Sequence, residues 1–305
     1  FDGIFISTPK VSRGESHPLH PCEIRMTPAK RQTWNSFIPS TSQTVSVTNT
    51  KKSIQLNPGE TYAFQNVASP ILHPRLWTPE TPALYRIETT LCDCKTKVVL
   101  DQSNHHTGFR WFHFDANKGF FLNGKPYKLR GICRHQDQKP IGVALTDEIH
   151  RRDMKMMKEM GANFIRVSHY PQDDALLEMC DKLGMLAWEE IPIIDIVPET
   201  PGYGDNCERN LREMIRQHYN HSSVITWGYM NEILLTAPSI GKPEWLACKE
   251  RTVNLAQRLE AVLKEEDPGR ASVMAFNMTN LYNEIGLNLV DVVGWNLYHG
   301  WYVDN

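Results

Sequence analysis

Carboxylate, histidine, arginine and aromatic side chains gather in five short strings along the second half of the chain. Each string follows a run of apolar residues with the character of a buried strand. The strings are Arg134-His135, Ser168-His169-Tyr170, Glu189-Glu190, Asn231-Glu232 and Asn296 to Trp301. A carboxyl group just beyond a buried strand is well placed to exchange a proton with a bound molecule. The strings therefore point to acid–base chemistry at the ends of strands.

Six apolar runs, separated by helical patterns, must carry these strings. The predicted strands cover residues 127–132, 164–167, 185–188, 224–229, 273–276 and 290–294. Strands this apolar are typical of a parallel sheet with helices on both faces. The chain has no glycine-rich dinucleotide fingerprint or P-loop, and polar strings follow strand after strand, so the pattern favours a TIM barrel with its site at the carboxyl ends. A closed barrel needs eight strands, and the pattern here supplies six.

The helices between these strands are predicted from their start and stop signals. Thr146, followed by two acidic residues, begins a helix that Gly161 ends. Its predicted apolar face comprises Ile149, Met156, Met157 and Met160. The next helix ends at Gly184, and its predicted apolar face comprises Leu176, Leu177, Cys180 and Leu183.

Residues 9–114 have a different pattern, with short alternating runs and no helical period. Residues 85–91 alternate between apolar and polar side chains, and Asn57-Pro58-Gly59 is a turn signal between two further runs. Such strands predict an antiparallel sandwich of about one hundred residues.

Composition excludes several classes of protein. The 33 Lys and Arg residues nearly balance the 35 Asp and Glu residues, and a net charge of -2 offers no field that would attract nucleic acid or an anionic membrane. No run approaches the roughly 18 apolar residues of a membrane span, and no signal peptide is visible in residues 1–20. The seven cysteines show neither zinc-ligand spacing nor a disulfide framework. We expect a soluble globular protein without a nucleic-acid or membrane partner.

Several strings together resemble glycoside hydrolase family 2, in order and at the spacing of that family. They are Leu76 to Tyr85, Gly108-Phe109-Arg110, Phe121 to Pro126, Leu129-Arg130-Gly131, Arg134 to Asp137, Asn163 to Arg166, Ser168 to Pro171, Val224 to Trp227 and Asn231-Glu232. The Arg-His-Gln-Asp string and Gly300-Trp301-Tyr302 are most similar to the β-galactosidases and β-glucuronidases of the family. The resemblance implies a multidomain fold, in which an immunoglobulin-like β-sandwich over 9–114 precedes a partial TIM barrel of about six units over 115–305. Residues 1–8 resemble the last strand of a jelly-roll sugar-binding domain.

The resemblance also assigns catalytic roles. Glu232 matches the general acid/base of a retaining mechanism, although an Asn-Glu pair taken alone is more often a helix cap or a surface loop. Arg166 would hold the nucleophilic carboxylate ionised, and its alternative role is a structural ion pair inside the barrel. Tyr298 would orient the same nucleophile, unless Trp295, Tyr298 and Trp301 are simply an aromatic core cluster.

Further residues match the sugar-binding positions of the family. Asn231 would bind the 2-hydroxyl of the sugar, and a turn-forming asparagine is its alternative role. His135 and His169 suit hydroxyl groups because neutral imidazole offers one donor and one acceptor. The remaining candidates for substrate binding are Asp137, Glu190 and Trp301, with Trp188 as a second tryptophan able to stack on a sugar ring.

Three departures from the family limit what the chain can do. Large β-galactosidases bind magnesium after strand three, but Ile194 and Ile196 stand at the ligand positions, so we expect no cofactor and no metal site. Cys133 replaces an asparagine that many members of the family carry. The family nucleophile follows strand seven, beyond this chain, so we expect the segment alone to be inactive and prone to associate.

These observations predict a retaining exo-β-glycosidase that hydrolyses terminal β-D-galactosides. The alternatives are a β-glucuronidase, then a β-mannosidase, and, in another class, a non-catalytic carbohydrate-binding protein. The expected partner is an oligosaccharide or β-glycoside substrate, and a homo-oligomer is left open. Resemblance to enzymes of gut bacteria suggests a periplasmic or secreted location.

Overall fold

The computed structural model describes residues 15–16, 23–28, 48–51, 53, 69–93, 95–277 and 287–300. Three sequence predictions lie outside these residues: the strand over 1–8, the turn at Asn57-Pro58-Gly59 and the sugar-stacking role of Trp301.

The described residues of the first part of the chain form six short strands. They are β1 (Glu15–Ser16), β2 (Glu23–Pro28), β3 (Thr48–Thr50), β4 (Ile71–Leu72), β5 (Tyr85–Cys92) and β6 (Val99–Thr107). Four of them form an antiparallel sheet in the order β3-β2-β5-β6, and β1 pairs with β4. Tyr85 and Ile87 on β5 are buried against Phe109 and Ile71, which confirms the alternation predicted for this strand. The immunoglobulin-like character of this part stays a prediction.

A three-stranded antiparallel sheet follows, formed by β7 (Phe112–Asp115), β8 (Gly119–Leu122) and β9 (Lys125–Pro126). Asn123 and Gly124 form its second turn with positive φ angles of 50° and 78°, as the Asn-Gly signal predicts. Phe120 and Leu122 pack with Trp77 against Leu186 and Ile225, near the start of two barrel strands. This sheet therefore covers the amino-terminal end of the barrel.

The rest of the chain alternates strand and helix. The elements are β10 (Gly131–Arg134), α1 (Asp147–Glu159), β11 (Phe164–Val167), α2 (Asp174–Leu183), β12 (Leu186–Glu190), α3 (Tyr203–His218), β13 (Val224–Asn231), α4 (Pro243–Glu266), β14 (Ala271–Phe276), a short 3-10 turn (Leu287–Leu289) and β15 (Val292–Trp295). The six strands pair in chain order, and every pair is parallel. This half-barrel of six parallel strands is consistent with the predicted partial TIM barrel, although the first strand begins at Gly131 and not at residue 127.

The helix predictions are confirmed for α2 and corrected for α1. Gly184 ends α2 in the left-handed conformation (φ 71°). In α1 the residues that the sheet buries are His150 and Met154, whereas Met156 and Met160 are 54% and 77% exposed. Methionines occur on two sides of α1, so the sequence could not show which side faces the sheet.

Three contacts fasten the segment before the barrel to the barrel itself. The Trp77 indole nitrogen donates to the Asp181 carbonyl (2.9 Å), and Arg110 Nη2 donates to the Val224 carbonyl at the start of β13 (2.9 Å). Burial, with Arg270 nearby, lowers the pKa of Arg110 to about 9. A Cβ atom at Gly184 would lie 2.3 Å from the Pro79 carbonyl oxygen, so only glycine permits this approach.

Within the described part of the chain, no helix has the length and apolar character needed to cross a bilayer.

Candidate active site

The carboxyl ends of four barrel strands bring one polar cluster together. Arg166 comes from β11, Glu190 from β12 and Asn231 from β13, and Asn296 directly follows β15. Since neighbouring strands are parallel, residues far apart in sequence meet at one edge of the sheet. The residues predicted to meet at this edge do meet there, and that the cluster is an active site stays a prediction.

Arg166 forms a bidentate ion pair with Glu190 at the centre of the cluster. Its Nε and Nη2 atoms lie 3.1 and 3.0 Å from the two carboxylate oxygens, and both side chains are buried. The His169 Nδ1 atom lies 2.5 Å from Glu190 Oε1. Arg166 therefore forms the structural ion pair that was its alternative role. The role of Arg166 toward a nucleophile stays a prediction. Removing one partner of such a pair would leave an uncompensated buried charge.

Trp188 lies beneath this pair, inside the barrel. The Arg166 guanidinium carbon is 4.2 Å from the centre of the indole ring. A Cβ atom at Gly228 would lie 2.4 Å from Trp188 Nε1, and one at Gly294 would lie 2.7 Å from its Cη2 atom, so two glycines make room for the ring. Trp188 therefore supports the arginine.

Asn296 links three candidate residues, and sequence reasoning assigned it no role of its own. Its Oδ1 atom accepts from Arg166 Nη1 (3.0 Å), and its Nδ2 atom donates to Asn231 Oδ1 (3.0 Å) and Glu232 Oε1 (2.8 Å). The sequence signal was its position directly after an apolar run. An asparagine there is also a common turn residue, so the signal was weak.

Two donors converge on the side-chain oxygen of Asn231. Arg166 Nη2 and Asn296 Nδ2 both donate to Oδ1, at 2.9 and 3.0 Å. These contacts fix the orientation of the amide, because Nδ2 cannot replace the oxygen between two donors. Within the described residues no acceptor binds Asn231 Nδ2, so this donor is unpaired among them, and its role toward a sugar stays a prediction.

Glu232 follows β13 with an uncommon backbone conformation. Its φ angle is 48°, a left-handed value that costs a non-glycine residue on the order of 1–3 kcal/mol. Its backbone N–H donates to the Ala275 carbonyl (2.8 Å), so pairing with β14 holds it in place. Its Oε1 atom accepts from Asn296 Nδ2 (2.8 Å) and the Tyr298 hydroxyl (3.2 Å). The carboxyl is half-buried, and no described residue donates to Oε2.

The two candidate histidines lie side by side at the rim. The rings of His135 and His169 meet edge to face with their centres 5.1 Å apart, and the Tyr170 hydroxyl accepts from the Gln136 N–H (2.9 Å). Asp137 is exposed, and no described residue forms a hydrogen bond with its side chain. The structure thus brings both histidines to the polar cluster. Asp137 makes no contact with that cluster among the described residues.

The described residues contain no group of three or more His, Cys, Asp or Glu side chains arranged to hold a metal ion. Ile194, one of the two isoleucines that replace metal ligands in the resemblance, forms a parallel bridge with Asn231 and is 40% exposed.

Two family models match the chain. Residues 115–305 match the glycosyl hydrolases family 2, TIM barrel domain, and residues 14–110 match glycosyl hydrolases family 2. Among curated proteins, a β-glucuronidase from Bacteroides fragilis is 37% identical over 244 residues, which are 76% of this chain and 32% of that protein. Other curated relatives carry the name β-galactosidase.

Solved structures give higher identity. A β-glucuronidase from Bacteroides uniformis is 63% identical with a TM-score of 0.89, and the match covers 98% of this chain and 36% of that one. A calcium binding mutant of Bacteroides uniformis β-glucuronidase 2, with two aspartates changed to alanine, is 63% identical with a TM-score of 0.88, over 99% of this chain and 37% of that one. The chain therefore spans about a third of the length of these relatives.

Proposed function

Since the chain belongs to glycosyl hydrolase family 2, we propose that it supplies the acid/base half of a retaining exo-β-glycosidase. The observation that carries the proposal is the position of Glu232, held by Asn296 and Tyr298 at the carboxyl end of β13. Both donors bind Oε1, so Oε2 is the oxygen that can carry a proton toward a leaving group.

The reaction then runs in two steps. The carboxyl proton of Glu232 passes to the glycosidic oxygen as the bond from the anomeric carbon to that oxygen breaks, and a second carboxylate bonds to the same carbon. Glu232, now ionised, takes a proton from water, whose oxygen displaces the second carboxylate and releases the sugar. The nucleophile is predicted to lie in the part of the protein after strand seven.

Asn231 is proposed to bind the 2-hydroxyl of the sugar. Its Nδ2 donor is left for the substrate because Arg166 and Asn296 occupy Oδ1. A hydrogen bond to this hydroxyl strengthens as positive charge develops on the ring, so it favours the transition state. His135 and His169 are proposed to bind other hydroxyls of the same ring.

The preferred sugar is proposed to be β-glucuronic acid. Sequence reasoning placed β-galactosidase first, but the B. uniformis β-glucuronidase is 63% identical over 98% of the chain, whereas two curated β-galactosidases are 37% and 30% identical over 53% and 83% of it. A β-galactosidase stays the second candidate because curated relatives carry that name. A β-mannosidase stays the third alternative.

A non-catalytic carbohydrate-binding protein is the rival from another class. The contacts argue against it. Asn296 joins Arg166, Asn231 and Glu232 in one hydrogen-bonded cluster, and Tyr298 joins the same cluster through Glu232. A binding protein that had lost its chemistry would be free to lose any of them.

We also propose that the protein binds Ca²⁺. The supporting observation is the calcium binding mutant of Bacteroides uniformis β-glucuronidase 2, whose wild-type aspartates belong to a chain 63% identical to this one.

Hydrolysis by the full-length protein tests the glycosidase proposal. We expect nitrophenyl β-glucuronide to be cleaved faster than nitrophenyl β-galactoside, and Glu232→Gln to lower kcat by about 10²–10⁴-fold. Glu244→Gln, at an exposed carboxylate in the first turn of α4, is the matched control. Faster cleavage of the galactoside would restore the second candidate. If neither substrate is cleaved, the glycosidase proposal fails.

A further inference from the structure

The indole ring of Trp188 lies beneath the polar cluster, on β12. Its centre is 4.2 Å from the guanidinium carbon of Arg166. The Nε1 atom of the ring is buried and donates to no described residue. Trp188 therefore contributes to the cluster through the face and the size of its ring.

Hydrogen bonds occupy the edge of the Arg166 guanidinium. Its Nε and Nη2 atoms donate to the two oxygens of Glu190, Nη2 also donates to Asn231, and Nη1 donates to Asn296. A guanidinium is planar and its donors lie in that plane, so its two faces remain for packing. Trp188 packs on one face, where the negative charge of the ring face attracts the cation.

The same hydrogen bonds connect Arg166 to the atoms that the proposed reaction uses. Nη2 lies 2.9 Å from Asn231 Oδ1. Asn296 accepts from Nη1 (3.0 Å) and donates to Glu232 Oε1 (2.8 Å). A displacement of the guanidinium would therefore move both the amide proposed to bind the sugar and the carboxyl proposed to donate the proton. A misplacement of about 1 Å can lower a rate about 10²-fold.

Two glycines on other strands leave the space that the ring fills. A Cβ atom at Gly228 on β13 would lie 2.4 Å from Trp188 Nε1, but it would also lie 2.7 Å from Glu190 Cβ. A Cβ atom at Gly294 on β15 would lie 2.7 and 3.2 Å from Cη2 and Cζ3 of the indole, and its next neighbour is in ordinary contact at 3.5 Å. Neither glycine has a left-handed φ angle, so the backbone does not require them. At Gly294 the ring alone explains the glycine.

We propose that Trp188 is a positioning residue for the acid/base half of the glycosidase. The ring sets the place of Arg166 inside the barrel. Through Arg166 and Asn296 it holds Asn231 and Glu232 in the geometry of the reaction. This role rests on the proposed function. It stands in place of sugar stacking, because the guanidinium already covers a face of the ring.

Kinetics of the full-length protein, on whichever nitrophenyl glycoside it cleaves, test the role of the ring. Trp188→Leu removes the aromatic face, so kcat should fall about 10²-fold while KM stays within about 3-fold. Trp188→Phe keeps an aromatic face and should retain at least about a tenth of the wild-type kcat. A ring that stacks on the sugar would instead raise KM. Wild-type kcat in Trp188→Leu, or a change confined to KM, would overturn the proposal.

Gly294→Ala displaces the ring without changing its chemistry. The added methyl group presses on the far edge of the indole, so kcat should fall at least about 10-fold. Phenylalanine lacks that edge, so adding Trp188→Phe to Gly294→Ala should recover activity. Gly204→Ala, in the first turn of α3, is the matched control. Its Cβ atom would also lie 2.7 Å from a neighbour, but that neighbour is the mobile end of the 47%-exposed Arg258, and kcat should not change. Equal kcat in the two alanine variants would overturn the proposal, and this pair decides the matter if Trp188→Leu does not fold.

Thermal unfolding separates this inference from the glycosidase proposal. If Trp188 holds Arg166, the double variant Trp188→Leu with Arg166→Met should lose less of the melting midpoint than the two single losses added together, because both changes remove one contact. Additive losses in a protein that hydrolyses a glycoside would overturn the inference alone. Coupled losses in a folded protein that cleaves neither glycoside would overturn the glycosidase proposal, and the positioning role with it.

Discussion

Glu189 and Glu190 are neighbours on β12, yet they belong to two different electrostatic clusters. Glu190 lies inside the barrel with Arg166 and His169, at the candidate active site. Glu189 lies on the opposite face, where both of its oxygens are within 2.9 Å of His218 Nδ1 on α3. Alternation along a strand thus separates two buried carboxylates that the sequence places side by side.

The outer cluster consists of Glu189, His218 and Asp174, and both ring nitrogens of His218 have a carboxylate partner. His218 is 1% exposed, and its second ring nitrogen contacts Asp174 on α2 (2.8 Å). Burial alone would lower the pKa of His218, but the two carboxylates outweigh it and raise the pKa to about 10. A protonated histidine between two carboxylates therefore ties β12, α2 and α3 together.

The inner cluster consists of Arg166, His169, Glu190, Asn231 and Glu232, and some of its polar atoms pair with no described residue. His169 is partly exposed, and only its Nδ1 atom is engaged with Glu190. Asn231 and Glu232 likewise present one unoccupied polar atom each among the described residues. The difference teaches that the outer face uses its charges for stability, whereas the inner face keeps polar atoms that pair with no described residue and that we propose to bind a substrate.

Breaking the ion pair between Arg166 and Glu190 should have the largest effect on stability and on hydrolysis. Arg166→Met keeps a long side chain over Trp188 but leaves Glu190 buried without its arginine, which we expect to destabilise the protein by about 3–5 kcal/mol and to abolish hydrolysis. Arg258→Met, which removes a 47%-exposed partner of Asp205 and Glu208, is the control and should cost less than about 1 kcal/mol. Denaturant unfolding measures both, and equal losses would show that Glu190 does not depend on Arg166.

Neutralising each glutamate in turn sharpens the comparison. Glu190→Gln removes the charge that orients Arg166 and His169, so kcat/KM should fall by about 10²-fold. Glu189→Gln should lower the melting midpoint while kcat/KM of the folded enzyme stays within about 3-fold. The two isosteric variants differ by one position on the same strand. A comparable loss of kcat/KM in Glu189→Gln would mean that the outer cluster also controls the site.

The sequence predicted the elements and the edge where the site forms, because buried strands and helix stops are local signals. An apolar run predicted strand β13 and the position of Glu232 directly after it. Gly184 predicted the end of α2. The pattern ended the third strand at residue 188, so both glutamates were expected after it. In the structure they belong to the strand, and their side chains point to opposite faces.

The links between site residues could not be predicted in the same way. Asn296 binds Arg166 and Glu232 from 130 and 64 positions away, and no local pattern encodes such contacts. The predicted face of α1 was wrong at Met156 and Met160 for a related reason. The sheet selects among several methionines, and packing against a distant strand decides which one is buried.

The pH dependence of stability gives the most specific test of the outer cluster. The pKa of His218 is raised from its usual 6.5 to about 10 in the folded protein. Below pH 6.5 the histidine is protonated in both states, so its stabilising contribution is fully present. Between pH 6.5 and about 10 the unfolded chain has lost the proton that the folded protein keeps, so stability falls as the pH rises.

His218→Asn should remove this slope as well as lower the melting midpoint at pH 6.5, because asparagine does not titrate. His113→Asn, at an exposed histidine on β7, should keep the wild-type slope. Melting midpoints measured from pH 6 to pH 10 distinguish the variants. An unchanged slope in His218→Asn would mean that Glu189 and Asp174 do not hold a proton on this ring, and the outer cluster would then be a set of neutral hydrogen bonds rather than a charged clamp.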